Sequence, residues 1–234
     1  RVVGDLKKFV APDSDAEKQL QAFFDKLSAG QLDRLGWTPK ADESIDDQLT
    51  RPYILSMALY AKNPDAIAQG HELFTANQAQ LVALPADIRM FVLENEVKHF
   101  GNADLFDQLL KAYTQTTDSS YKADILAALT STTDPTQIAK LVDKFEDADT
   151  IKPQDLRSWF RGVLNNHAGE QAAWDWLRNE WQWLEKTVGG DMEFTTYITV
   201  IAGVFRTPER LTEFKAFFEP KLQPPGLTRE ITMD

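Results

Sequence analysis

Residues Trp174–Lys186 read Trp-Asp-Trp-Leu-Arg-Asn-Glu-Trp-Gln-Trp-Leu-Glu-Lys and hold four of the six tryptophans in the chain. On a helix, Trp174, Leu177, Trp181 and Leu184 share one side at offsets of three and four, with Trp176, Glu180 and Trp183 beside them. A helix with so wide an aromatic face must be covered on more than one side. The stretch contains no nucleophile and no metal-ligand set, so it is expected to be the central packing helix of an all-α core.

The rest of the chain reads the same way. Strand signals are scarce: no period-two run is sustained, and no Asn-Gly or Asp-Gly hairpin turn occurs. The punctuation is helical. Asp13 or Ser14 caps a helix over 15–29, closed by Gly30, with Leu20, Phe23, Phe24 and Leu27 as its apolar side. A short helix over 31–36 and a polar loop over 38–44 follow. Next comes an apolar helix over 46–62, carrying Leu49, Tyr53, Leu55, Met57, Leu59 and Tyr60, with Pro52 predicting a late start or a kink. Asn63-Pro64, Asp134-Pro135 and Thr207-Pro208 are cap-proline starts, opening helices over 65–81, 136–145 and 209–219. The first of these is expected to bury Ile67, Leu73 and Phe74. Further helices are expected over 86–100, 103–114, 121–130, 154–166, 168–188 and 192–204, with breaks at Gly189-Gly190 and at Pro220, Pro224 and Pro225.

The sum is about twelve helices joined by short loops. Short connections place successive helices antiparallel, and a long series of such pairs stacks most simply into an irregular α-solenoid of the HEAT or armadillo kind, with a concave surface. Residues 1–234 read as a single domain. The charge-rich stretch Lys144–Thr150 is the best candidate for a soft boundary within it. The first residue is Arg1 rather than Met, and the sequence stops at Asp234 just after Gly226–Glu230 opens another amphipathic segment. Both ends predict a piece of a longer polypeptide.

Composition excludes several function classes. The formal net charge is −11, with no basic stripe, which argues against nucleic acid and anionic membrane surfaces as partners. No apolar run approaches the roughly 20 residues of a membrane span. The 43% hydrophobic content is enough for a large core, and the absence of cysteine excludes disulfides and thiolate metal sites. No signal peptide reads at Arg1–Asp5, and zero cysteine is expected of a reducing cytoplasm, while it is also compatible with export.

Chemistry-bearing motifs are missing. His71-Glu72-Leu73-Phe74-Thr75 begins a helical zinc motif but has Thr75 where the second histidine belongs, and Asn95-Glu96-Val97-Lys98-His99 lacks the first. No P-loop, dinucleotide fingerprint, EF-hand or nucleophile elbow occurs. Carboxylate pairs such as Asp46/Asp47 and Glu94/Glu96 are what solvated helix faces carry. The minority charge is more informative. Arg157 and Arg161 lie four apart around Trp159, with Asn165 a turn later, while Arg51 and Arg89 precede apolar helical runs. Such arginines either receive a carboxylate, for instance a peptide C-terminus, or form salt bridges to the many acids.

The order of segments resembles the C-terminal helical domain of the zinc-dependent aminopeptidase N family, the gluzincin aminopeptidases, with cytosolic bacterial enzymes and the puromycin-sensitive branch nearest. The residues that carry the likeness are Leu35-Gly36-Trp37, Leu49-Thr50-Arg51, Ala68 to Phe74, Leu84 to Arg89, Lys152 to Asp155, Asn165 to Trp174 continuing into Asn179-Glu180-Trp181, and Phe214 to Glu219. The family's His-Glu-x-x-His and Gly-x-Met-Glu-Asn motifs are absent. The resemblance therefore implies a non-catalytic domain with no cofactor or metal site of its own. The parent enzyme's zinc lies in an N-terminal catalytic domain of the same polypeptide, over which this domain closes to form a peptide chamber. It also implies peptide substrates; Arg157, Arg161, Asn165 and, more weakly, Arg51 are the candidate chamber or interdomain residues on their charge and helical spacing, since they match no fixed motif of the family. The alternative is a stand-alone α-solenoid interaction scaffold; a helical enzyme with its own site has the least support.

Overall fold

The computed structural model describes residues 6–188 and 195–221; the expectations at Gly189-Gly190, Met192, Pro224-Pro225 and 226–234 lie outside them. Twelve α-helices account for most of the described residues, with 3-10 turns at Lys7–Phe9, Gln78–Ala83 and Glu219–Lys221 and no strand among those residues. In order the helices are α1 (Asp15–Leu35), α2 (Ile45–Tyr60), α3 (Pro64–Asn77), α4 (Ala86–Phe100), α5 (Ala103–Gln115), α6 (Ser119–Thr130), α7 (Pro135–Val142), α8 (Pro153–Asn165), α9 (His167–Asn179), α10 (Trp181–Val188), α11 (Thr195–Val204) and α12 (Pro208–Phe218).

The starts are fixed by short polar side chains. Ser14, Ser44, Asn63, Asn102, Asp118, Asp134, Asn166 and Thr207 each accept a hydrogen bond from a backbone N–H of the first turn. This satisfies donors that the helix cannot pair internally. Pro64, Pro135, Pro153 and Pro208 stand at first-turn positions, where a missing N–H costs nothing.

Three expectations need correction. Gly30 does not end α1: the helix runs on to Leu35 because Phe24, Ser28, Leu32 and Leu35 form one continuous buried stripe. The terminating glycine is Gly36, at φ +62, whose N–H reaches the Leu32 carbonyl at 2.8 Å. Pro52 does not delay α2, which starts at its Ser44 cap and continues through the proline with Arg51, Ile54, Leu55 and Ala58 buried. Packing of that face outweighs one lost hydrogen bond. The tryptophan stretch is two helices rather than one. Glu180, at φ −100 and ψ 18, separates α9 from α10, yet Trp174, Leu177, Trp181 and Leu184 all remain buried.

The chain divides into two compact units, residues 1–132 and 133–234. The division precedes Lys144–Thr150, which is a hydrogen-bonded turn. The Asp147 carboxylate accepts from the Lys144 ammonium, the Thr150 hydroxyl and the Asp149 N–H at 2.9, 2.9 and 3.1 Å.

In the first unit α1 packs on α2, α3 on α4 and α5 on α6, while α2, α4 and α6 follow one another in contact. The middle helix α4 has a wide buried side that includes Ile88, Val92, Leu93, Asn95, Glu96 and Val97. Its Arg89 is buried with every guanidinium nitrogen paired: Nε donates to Asp124 of α6 at 2.6 Å, Nη1 to the Val82 carbonyl at 2.9 Å and Nη2 to the Ser120 hydroxyl at 3.0 Å. Burial raises the Asp124 pKa above the usual carboxylate range, against the opposing pull of Arg89. The apolar sides expected for the first helices are only partly buried. Phe23, Leu27, Leu49 and Tyr53 are exposed, because the buried stripes turn through Phe24 and Ile54 instead. In α3, Phe74 is buried while Ile67 and Leu73 are half-buried.

In the second unit α9 contacts α7, α8 and α10, and α8 also contacts α11. Trp174 meets Phe205, Phe217 and Phe218. Trp176 meets Phe145, Phe160 and Trp183 on the other side of the same helix. Gly169 lets α9 leave α8 tightly, since a Cβ there would lie 2.7 Å from Val163 Cγ1 and 2.8 Å from the Val163 carbonyl oxygen.

Candidate functional site

Helix α8 packs through Leu156, Trp159, Phe160, Val163 and Leu164. Three of the candidate residues follow the other side at intervals of four: Arg157 is half-buried, and Arg161 and Asn165 are exposed. The Asn165 amide donates back to the Arg161 carbonyl at 2.7 Å, which fixes the end of the ridge. The ridge offers guanidinium and amide donors on a rigid helix, a chemistry suited to a carboxylate or to peptide carbonyls.

Arg51 is placed differently. It is completely buried in the first unit, paired with the buried Glu43 and donating to the carbonyls of Gly36 at 3.2 Å and Leu35 at 3.4 Å. Its guanidinium ties the α1–α2 connection to α2, and no face of it is presented to solvent.

A small cavity of about 110 Å³ in the first unit is lined by Lys7, Ser56, Leu59, Tyr60, Phe91, Glu94, Asn95, Lys98 and His99. The Lys7 ammonium sits 4.1 Å from the Tyr60 ring centroid. Burial, then repulsion from Lys98, holds the Lys7 ammonium below the usual lysine range. Burial, with Lys98 and Lys62 behind it, likewise holds His99 below the usual histidine range. The Tyr60 phenol is pushed up to about 12 by burial and by Glu17, whose carboxylate its hydroxyl bonds at 3.3 Å. Glu94 is the one carboxylate among these lining residues, and it lies 3.4 Å from Lys98. Three nitrogen bases therefore crowd a space with a single acid, an arrangement suited to an incoming carboxylate. The sequence reading missed it, because Lys7 and Lys98-His99 are some ninety residues apart. The available signal was a pair of basic dipeptides, Lys7-Lys8 and Lys98-His99, in a strongly acidic chain.

The two histidine fragments resolve into ordinary contacts. His71 Nδ1 lies 2.8 Å from Glu96 Oε2, and its ring stacks on Phe100 with centroids 3.9 Å apart. Among the described residues no three His, Asp or Glu side chains converge to hold a metal ion.

Residues 1–233 match the family described as the ERAP1-like C-terminal domain. The chain belongs to this family. The ERAP1-like domain is 58% identical over 229 residues to Aminopeptidase N of Lactobacillus helveticus, a match that covers 98% of the chain and 27% of that protein. It is 39% identical over 234 residues to Aminopeptidase N of Lactococcus lactis subsp. lactis strain IL1403, covering 100% of the chain and 28% of that protein. Glutamyl aminopeptidase of Bos taurus is 26% identical over 223 residues, covering 94% of the chain and 23% of that protein. The ERAP1-like domain thus spans about a quarter of the length of the relatives it matches.

Proposed function

We propose that residues 1–234 form the C-terminal, non-catalytic domain of a cytoplasmic zinc aminopeptidase that removes N-terminal residues from peptides. In this reading the domain docks on an N-terminal catalytic domain of the same polypeptide and closes off the peptide chamber, so that short chains reach the metal and folded proteins do not. The observation that carries the reading is the match, across nearly the whole chain, to proteins named Aminopeptidase N of which the chain is only about a quarter. Among the described residues no helix is long and apolar enough to cross a membrane.

Within this reading the Arg157–Arg161–Asn165 ridge and the Lys7–Lys98–His99 cavity are two candidate places for the far end of a peptide. Arg51 is left out, since its charge is already held by Glu43. The test is the coding sequence ahead of Arg1. A His-Glu-x-x-His helix with a downstream glutamate is expected there. A start codon at Arg1 would overturn the reading and leave a stand-alone helical scaffold.

A further inference from the structure

The cavity formed by α2, α4 and the turn at Lys7–Phe9 presents polar groups of both kinds. Lys7 and Lys98 bring ammonium donors to it, and Glu94 and Asn95 bring acceptors. The Lys7 ammonium lies 4.1 Å from the Tyr60 ring centroid and 6.0 Å from that of Phe24, and among the described residues no carboxylate forms an ion pair with it. Asn95 is 1% exposed. Its amide is oriented by α3, with Nδ2 donating to the Ile67 carbonyl at 3.0 Å, and its Oδ1 is buried with no hydrogen-bond partner among the described residues. Buried acceptors are normally paired, so this one calls for a donor from outside the chain.

We propose that this cavity binds a small free α-amino acid, its carboxylate held by Lys7 and Lys98 and its ammonium by Asn95 and Glu94. A zwitterion answers every polar group named: it brings a carboxylate to the lysines and a charged donor to the two acceptors. An inorganic anion would leave the Asn95 oxygen unpaired and meet repulsion from Glu94. A peptide end carries an amide where the free amino acid has its ammonium, and so offers Glu94 no charge. Size points the same way. The volume is about 110 Å³, well below the roughly 300 Å³ at which pockets for drug-sized ligands begin. One water needs roughly 10–15 Å³, so the space takes a molecule of roughly ten non-hydrogen atoms or fewer. Leu59 and Phe91 give a short apolar side chain its wall. Burial and Lys98 both weaken the Lys7 charge, and a carboxylate beside the two lysines restores it. The choice of ligand rests on the aminopeptidase reading, in which every turnover releases a free amino acid and the site senses product; the chemistry of the cavity does not.

The test is backbone amide exchange in the full-length polypeptide, read by mass spectrometry over residues 91–99, with residues 103–115 as reference. L-Alanine at about 10 mM is expected to slow exchange over 91–99 by at least about threefold, which is one plus the ratio of ligand to Kd for a site of millimolar affinity, and to leave 103–115 unchanged. Propionate lacks the ammonium and ethylamine lacks the carboxylate, and neither is expected to slow it. The effect of alanine should be lost in the double variant Lys7→Met/Lys98→Gln, whose exchange over 103–115 should match that of the parent. No slowing by L-alanine, equal slowing by propionate, or slowing retained in the double variant would overturn the proposal. Slowing by N-acetyl-trialanine, whose N-terminus is blocked, but not by alanine would also overturn it, in favour of a peptide end. Exchange is independent of activity, so protection by alanine in a polypeptide that hydrolyses no aminoacyl amide would sink the aminopeptidase reading and leave the site standing.

Discussion

The indole of Trp174 donates to the Glu213 carboxylate at 2.8 Å, joining α9 to α12 across 39 residues of sequence. Glu213 also accepts from Arg210 at 2.9 Å, and Arg210 reaches back to Glu170 of α9 at 2.8 Å. This fully buried ring of the second unit is therefore oriented by a polar clamp as well as by Phe205, Phe217 and Phe218. Trp174→Ala removes the ring from a site with no solvent exposure and is expected to cost about 3–5 kcal/mol. Glu213→Ala leaves the buried indole N–H unpaired and should cost about 1–3 kcal/mol. Urea unfolding followed by fluorescence separates the two. A loss well under ~1 kcal/mol for Trp174→Ala would contradict the packing role.

Arg51 and Glu43 are a buried ion pair. Arg51→Ala strands the Glu43 charge and should destabilise by about 3–5 kcal/mol. Replacing both, as Arg51→Met with Glu43→Leu, should restore most of that loss, since two apolar groups carry no desolvation cost. In the full enzyme the double variant should hydrolyse long peptides with an unchanged KM. A raised KM in a stable double variant would return Arg51 to the list of substrate contacts.

Arg161 is predicted to act on substrate length. Arg161→Ala should raise KM for long peptides by roughly five- to tenfold, the scale of one charge-assisted contact, and leave an aminoacyl amide untouched. Equal effects on both substrates would place its role in folding.

Asp147 gives the chain an acid-side signature. Its side-chain bonds to Lys144 and Thr150 and the Asp149 N–H hold its carboxyl at about 2, against an ordinary value of 3.8. A folded pKa below the unfolded one means stabilisation that is fully present above about pH 4 and is lost as pH falls towards 2. Asp147→Asn should flatten that part of the acid-unfolding curve. A carboxyl resonance titrating near the ordinary value would show that the turn over 144–150 is not formed.

Much of this was legible in the chain, for identifiable reasons. Cap residues and prolines announce helix starts through local chemistry, so α3, α4, α7 and α12 begin within a residue of the positions their sequences predict. Ends and breaks depend on packing that the chain does not announce. Gly30 looks like a terminator, but Leu32 and Leu35 extend the buried stripe past it. The break at Glu180 leaves the period of Trp174, Leu177, Trp181 and Leu184 intact and is therefore invisible in it. Phe23, Leu27, Leu49 and Tyr53 read as parts of apolar faces, and periodicity finds such faces without saying what covers them. The same limit hid the cavity, since Lys7, in the 3-10 turn before α1, meets Lys98 and His99 of α4 only in the folded unit. Arg51 and Arg161 look alike as sequence, and only burial tells a paired charge from an exposed one.

The central claim is that residues 1–234 belong to an aminopeptidase without containing its chemistry. Hydrolysis of an aminoacyl amide tests it most directly, measured on the full-length polypeptide and on residues 1–234 alone with added zinc. The account predicts turnover by the former and none above background by the latter. Turnover by residues 1–234 alone, or none by the full-length polypeptide with zinc, would contradict it.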